Sequence, residues 1–258
     1  MLLYGQTISG TVFENNSGIP VEYVNIGIVG KNIGTVSDQK GKYTLQVSAE
    51  YYNDTLKFSC IGYHSYSVKV SDFMKMNNKN VSLEKRTYEL TEVVVQPKKI
   101  KQKILGITAN NKKIWTGFIH TIGFEAGTLI KNSNTVFIKE VNINIANFTY
   151  DTVLFRLNIY KAHNNMQFEN ILSSPIYVSL SIQELKDKIT IDLRHLSLDV
   201  KGDFLVAIEY IDFIGSGEIC FCISPNPFLK HYVRQVSQGI WRTQPGGLSI
   251  SVLVNLEK

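Results

Sequence analysis

Short apolar runs that alternate residue by residue with polar ones constrain this chain more than any other feature. Val24, Ile26 and Ile28 are separated by Asn25 and Gly27. Phe155, Leu157 and Ile159 alternate with Arg156 and Asn158, and Ile189, Ile191 and Leu193 with Thr190 and Asp192. A period of two places successive side chains on opposite faces of a strand, so each run predicts a strand with one apolar face. Composition agrees: Val and Ile total 51 of 258 residues against six Ala. Branched side chains lose little freedom on a pleated surface and crowd a helix. No apolar run approaches the roughly 18 residues of a membrane-spanning helix.

Two regions share this pattern. From Thr7 to about residue 96, strands are expected at Thr7–Phe13, Val24–Ile28, Asp54–Ser59, Tyr66–Val70, Val81–Leu83 and Leu90–Val95. Between them, Asp38 suits a side-chain-capped tight turn and Gly41 its positive-φ position. A second region, 114–258, adds Val141–Ile145, Phe155–Ile159, Ile189–Leu193, Phe204–Ile208 and Ile250–Val254. Ser181–Lys188 is the one helical turn expected there. The fold class is therefore all-β: two sandwiches, the second of jelly-roll type. No internal repeat aligns the two.

Between them lies a lysine-rich stretch. Residues 97–113 hold Lys98, Lys99, Lys101, Lys103, Lys112 and Lys113 and no acid, a charge of +6 against +5 for the whole chain. The remainder is near neutral, and 97–113 is expected to be a solvated linker. No basic face with interleaved aromatics extends beyond it, so a nucleic-acid partner is not expected. The N-terminal Leu2-Leu3-Tyr4-Gly5-Gln6 is expected to be the remnant of a secretory leader, residues 1–6. Cys60, Cys220 and Cys222 cannot form a complete set of disulfides, and all three are expected to be small buried hydrophobes.

Residues 7–96 carry an ordered set of short motifs. These are Ile8-Ser-Gly-Thr-Val12, Ile19-Pro-Val-Glu-Tyr-Val-Asn-Ile26, Ile33-Gly-Thr-Val-Ser-Asp-Gln-Lys-Gly-Lys-Tyr-Thr-Leu45, Asp54–Ser59, Ile61-Gly-Tyr63 and Leu90-Thr-Glu-Val-Val-Val95. Together they resemble the carboxypeptidase regulatory-like domain, a prealbumin-like (transthyretin-like) β-sandwich of Bacteroidetes envelope proteins. The resemblance implies an exported protein in the periplasm or on the outer-membrane surface. It implies a sandwich that accompanies a peptidase without being one. Thr152–Tyr160 and Asp203–Tyr210 are similar to the C-terminal sandwich that accompanies this domain in short family members.

The residues offer no chemistry of their own. His64, His120, His163, His195 and His231 form no His-Glu-x-x-His, and the Ser-elbow, phosphate-loop and dinucleotide signatures are missing. No enzyme activity and no cofactor are expected. Trp115, Tyr232 and Trp241, with Arg242 beside the last, are candidate ligand-binding residues, because aromatic faces stack on sugars. Asp199, Asp203 and Asp212 are weak calcium candidates on loops. These features lead to a non-catalytic envelope adaptor or binding module for a glycan or protein partner. Two alternatives stand beside it. One is an accessory of TonB-dependent nutrient uptake. The other is a hydrolase on the second sandwich, which would need two facing carboxylates or a histidine cluster in a cleft.

Overall fold

A computed structural model describes residues 5–87, 100–117, 121–183 and 187–257. The first half runs β1 (Gln6–Glu14), β2 (Asn25–Ile28), β3 (Gly34–Val36), β4 (Lys42–Val47), β5 (Thr55–Ser59), β6 (Tyr66–Lys69) and β7 (Val81–Leu83). These form two sheets, ordered β4-β1-β7 and β3-β2-β5-β6. β4 shows why: Tyr43, Leu45 and Val47 are buried while Lys42, Thr44 and Gln46 are exposed. The buried face of β4 meets the other sheet, with Tyr43 5.4 Å from Phe58 of β5, ring centre to ring centre. This is the expected prealbumin-like sandwich.

The turn before β4 has the expected chemistry. Asp38 Oδ1 accepts from the backbone N–H of Lys40 and of Lys42, both at 2.8 Å, and Gly41 has φ +69°. One strand is shorter than expected. Val70 opens a short helix, α1 (Val70–Lys75), because Val70 and Phe73 fall on one helical face and both are buried. Leu90–Val95 lies outside the described residues. So do residues 1–4 of the expected leader remnant, while Gln6 already pairs with Val47 in β1.

The second half opens with β8 (Ile100–Gly106), β9 (Trp115–Gly117), β10 (Glu125–Ile130), β11 (Thr135–Phe148), β12 (Thr152–Ala162), β13 (Phe168–Asn170) and β14 (Ile176–Ser181). It continues with β15 (Lys188–Asp192), β16 (Asp199–Lys201), β17 (Phe204–Ile214), β18 (Ile219–Ser224), β19 (Lys230–Arg234), β20 (Trp241–Pro245), β21 (Gly247–Leu248) and β22 (Ile250–Glu257). One sheet follows the order β13-β12-β17-β10-β19-β20, with β14 also on β12. The other follows β21-β18-β11-β22-β8, with β15 and β16 on β11 and β9 on β18. Their inner faces share one core, and Phe155 of β12 packs edge-to-face on Phe221 of β18 at 6.1 Å.

The basic stretch departs from a solvated linker. Residues 100–106 form β8, which pairs antiparallel along β22 from Ile100↔Glu257 to Gly106↔Ser251. Leu105 packs on the core, whereas Lys101, Gln102 and Lys103 are exposed. Strand pairing uses backbone groups, so lysines on the outer face do not oppose it. On an edge strand they discourage further pairing. The helical turn expected over Ser181–Lys188 falls partly on 184–186, outside the described residues; Ser181 ends β14 and Lys188 begins β15.

Candidate functional site: a polar cleft between the two halves

On β12 the apolar residues Phe155, Leu157 and Ile159 enter the second core, so Arg156, Asn158 and Tyr160 face outward. They do not reach solvent. Arg156 is 1% exposed, and Glu209 of β17 and Glu125 of β10 are both 0% exposed. The first half covers this face. The strand registers align the charged residues in one row across the sheet: Arg156↔Glu209, Glu209↔Glu125, Glu125↔Arg234 and Arg234↔Trp241.

The row forms a bonded network. Arg156 donates from Nε (3.0 Å) and Nη2 (2.7 Å) to Glu209 Oε2. Its Nη1 donates to the Tyr23 carbonyl at 2.7 Å and Nη2 to Asn25 Oδ1 at 2.5 Å, both in the first half. Arg234 Nη2 donates to Glu125 Oε2 at 2.5 Å, and Tyr160 Oη and Asn158 Nδ2 each donate to Glu125 Oε1 at 2.8 Å. Buried charges persist only when paired in this way. Burial opposes the charge on Arg156, and the attraction of Glu209 leads the effects that outweigh it, so the guanidinium is held above its usual range. Burial pushes the Glu125 carboxyl up, Arg234 pulls it down, and the neighbouring Glu209 pushes it up again.

A second contact joins the halves at the tip of the β19–β20 hairpin. Gln238 Nε2 donates to Ser59 Oγ at 2.7 Å, and Gly30 N–H donates to the Gln238 carbonyl at 3.0 Å. Beneath the tip sit Gly27 and Gly34, where a Cβ on either would collide with the Ser237 carbonyl oxygen. These glycines are what lets the hairpin approach.

Between the halves lies a cleft of about 390 Å³. Its first-half wall includes Lys57, Arg86 and the Ile61-Gly62-Tyr63 motif, and its second-half wall includes Arg156, Asn158 and Arg234. Gly62 occupies a turn after β5 with φ +88°. The Gly62 carbonyl accepts from the Arg86 N–H at 2.8 Å, which places the Arg86 backbone beside the cleft. Tyr63 donates to Glu14 Oε2 at 2.8 Å, and burial and this carboxylate push its hydroxyl up to about 12.

The structure brings part of the aromatic candidate set together: Tyr232, Trp241 and Arg242 share the β19–β20 hairpin, while Trp115 lies apart. Trp241 packs on Tyr160 and Phe168, and the Arg234 guanidinium lies 5.0 Å from its ring centre. Tyr232 packs edge-to-face on Phe168 at 5.6 Å. Both rings are thus half-buried supports of the charged row. Arg242 is exposed next to Trp241, one residue on in the alternation of β20. Trp115 is 51% exposed on β9, which belongs to the other sheet. Asp203 is held by Lys131 Nζ at 2.6 Å and the Asn132 N–H at 2.9 Å. Asp212 lies toward the far end of β17, about 30 Å away at ~3.3 Å per residue. Asp199, Asp203 and Asp212 therefore do not form a common site. The three cysteines are buried and unbridged, and burial raises each thiol, that of Cys220 to about 11.

Glu125 and Glu209 are the facing carboxylates a hydrolase would require. Both are buried, and they bond to two guanidiniums and Asn158, while Glu209 Oε1 bonds to nothing among the described residues. Sequence reasoning placed Arg156 and Asn158 on the outward face; their partners on β10, β17 and β19 lie far along the chain.

Residues 8–95 match the family model of the CarboxypepD_reg-like domain. Over 90 residues, 35% of the chain, the sequence is 33% identical to "TonB-dependent receptor P3" of Formosa agariphila, of which the match covers 8%. Two solved structures, of the infectious bursal disease virus Gt and Gx strains, align over 99% and 98% of this chain and 76% and 74% of theirs. At 10% identity and a TM-score of 0.23, these alignments support no argument about the fold.

Proposed function

We propose, from the premise that residues 8–95 form a CarboxypepD_reg-like domain, that this protein is an exported, non-catalytic binding module of the cell envelope. Its glycan or protein partner would sit in the cleft between the two sandwiches. The observation that supports this most directly is the fixed interdomain cleft, walled by the family's own Ile61-Gly62-Tyr63 turn on one side and the charged row on the other. The two buried carboxylates behind it, Glu209 and Glu125, neutralise Arg156 and Arg234, which is a structural use. A second reading, an accessory of TonB-dependent uptake, is favoured by the 33% identity over 90 residues to a receptor of that name.

The test is capture by the immobilised full chain, from envelope extracts and from a polysaccharide panel, compared with Ser65→Trp. Ser65 is an exposed residue on the cleft wall, and the larger side chain would fill the opening. Capture by the wild type that Ser65→Trp abolishes is the expected result. Undiminished capture by the variant would place the binding surface elsewhere, with exposed Trp115 the first place to look. Recovery of the protein from the cytosol alone would overturn the envelope assignment, and co-purification with a receptor would favour the second reading.

A further inference from the structure

We propose that the cleft binds the oxyanion group of a small polar ligand, held between Lys57 and Arg86 of the first half and Arg234 of the second. This rests on the reading of the cleft as the binding site and adds the chemistry of its ligand.

Four cations line the cleft, Lys57, Arg86, Arg156 and Arg234, against one carboxylate, Glu169. Arg156 and Arg234 are matched from behind by Glu209 and Glu125. Glu169 faces His163 at 3.2 Å. Lys57 and Arg86 have no acidic partner among the described residues. The Arg234 guanidinium lines the cleft, and its Nε is buried and bonds to nothing among the described residues. A half-buried lysine close to two guanidiniums is an unfavourable arrangement unless an anion occupies the space between them. Lys57 registers the cost, its ammonium lowered first by burial and then by Arg234 and Arg86. The Arg234 guanidinium is held between Glu125 and the Trp241 ring, while the backbone of Arg86 is tied to Gly62 and its exposed side chain lines the same cleft. Clustered cations of this kind suit carboxylate, sulfate or phosphate groups, since charge-assisted hydrogen bonds are the strong ones. A volume of about 390 Å³ admits a small ligand around that group.

The test is isothermal titration of the full chain at low ionic strength with sodium glucuronate, sodium sulfate and neutral glucose. Glucuronate or sulfate should bind and glucose should not. Lys57→Met and Arg86→Gln, with circular dichroism unchanged, should each weaken binding by about tenfold or more, the loss of one charged hydrogen bond. Glucuronate tighter than sulfate would identify an acidic saccharide; equal affinity would identify the free oxyanion. Failure of both anions to bind, glucose binding as tightly as glucuronate, or affinity indifferent to both substitutions would overturn the proposal. Capture sensitive to Ser65→Trp alongside such a failure would leave the cleft as the binding site and remove only its preference for anions.

Discussion

Arg156 ties the two halves together from a buried position. It bonds to Glu209 within its own half and to Tyr23 and Asn25 in the other. Replacing it with methionine keeps the bulk and leaves Glu209 buried without a counter-charge, so Arg156→Met should destabilise the chain by about 3–5 kcal/mol. Adding Glu209→Leu should recover much of that loss, because an apolar pair of similar volume needs no counter-charge. Urea unfolding of the two variants decides it; a double variant no more stable than the single would show that the ion pair is not the source. His231 supplies a pH prediction. It is buried, its Nδ1 lies 2.9 Å from the Gly246 carbonyl, and burial lowers it below its usual 6.5 despite that bond. The folded state thus binds the proton less readily than the unfolded one. Stability from this group is complete above pH ~6.5 and falls as pH drops from there toward the folded value. His231→Gln should flatten thermal stability across that window.

At the scale of elements, β8 changes how the chain should be divided. A fragment beginning at Ile114 omits β8 and exposes the full edge of β22, whose residues from Ser251 to Glu257 pair with it. Exposed edges invite intermolecular pairing. A fragment beginning at Ile100 should therefore be monomeric and cooperative by light scattering and thermal denaturation, and one beginning at Ile114 less stable and prone to associate. Equal behaviour would mean that β8 contributes little beyond its position. The β19–β20 hairpin is the other decisive element, since its tip meets Gly27 and Gly34. Gly34→Ala should push the tip away without disturbing either core.

For the whole molecule, the consequence is cooperativity between the halves. Two sandwiches with separate cores could unfold independently, but here their contact holds the Arg156–Glu209 and Arg234–Glu125 pairs under cover. Losing the first half would bare this network. Scanning calorimetry should show one transition for the native chain and two for Gly34→Ala. Two transitions in the native chain would mean that the contact is too weak to couple the halves, and the cleft between them too loose to serve as a fixed site.

Strand alternation by itself determined the all-β class and the inward faces of strands such as β2, β12 and β17. Local patterns are enough there, because the period of two is set by backbone geometry. Asp38 and Gly41 made the first turn legible for the same reason: its hydrogen bonds close within four residues. Sequence also placed Arg156 and Asn158 outward, which is correct. It could not show that outward means toward the other half, since that depends on two sheets meeting. The basic stretch shows the same limit: a lysine-rich segment reads as a linker until β22 supplies a partner for its backbone. The tertiary structure alone decided that Lys57, Arg86 and Arg234, distant in the chain, share one cleft, because their proximity comes from the contact between the two halves.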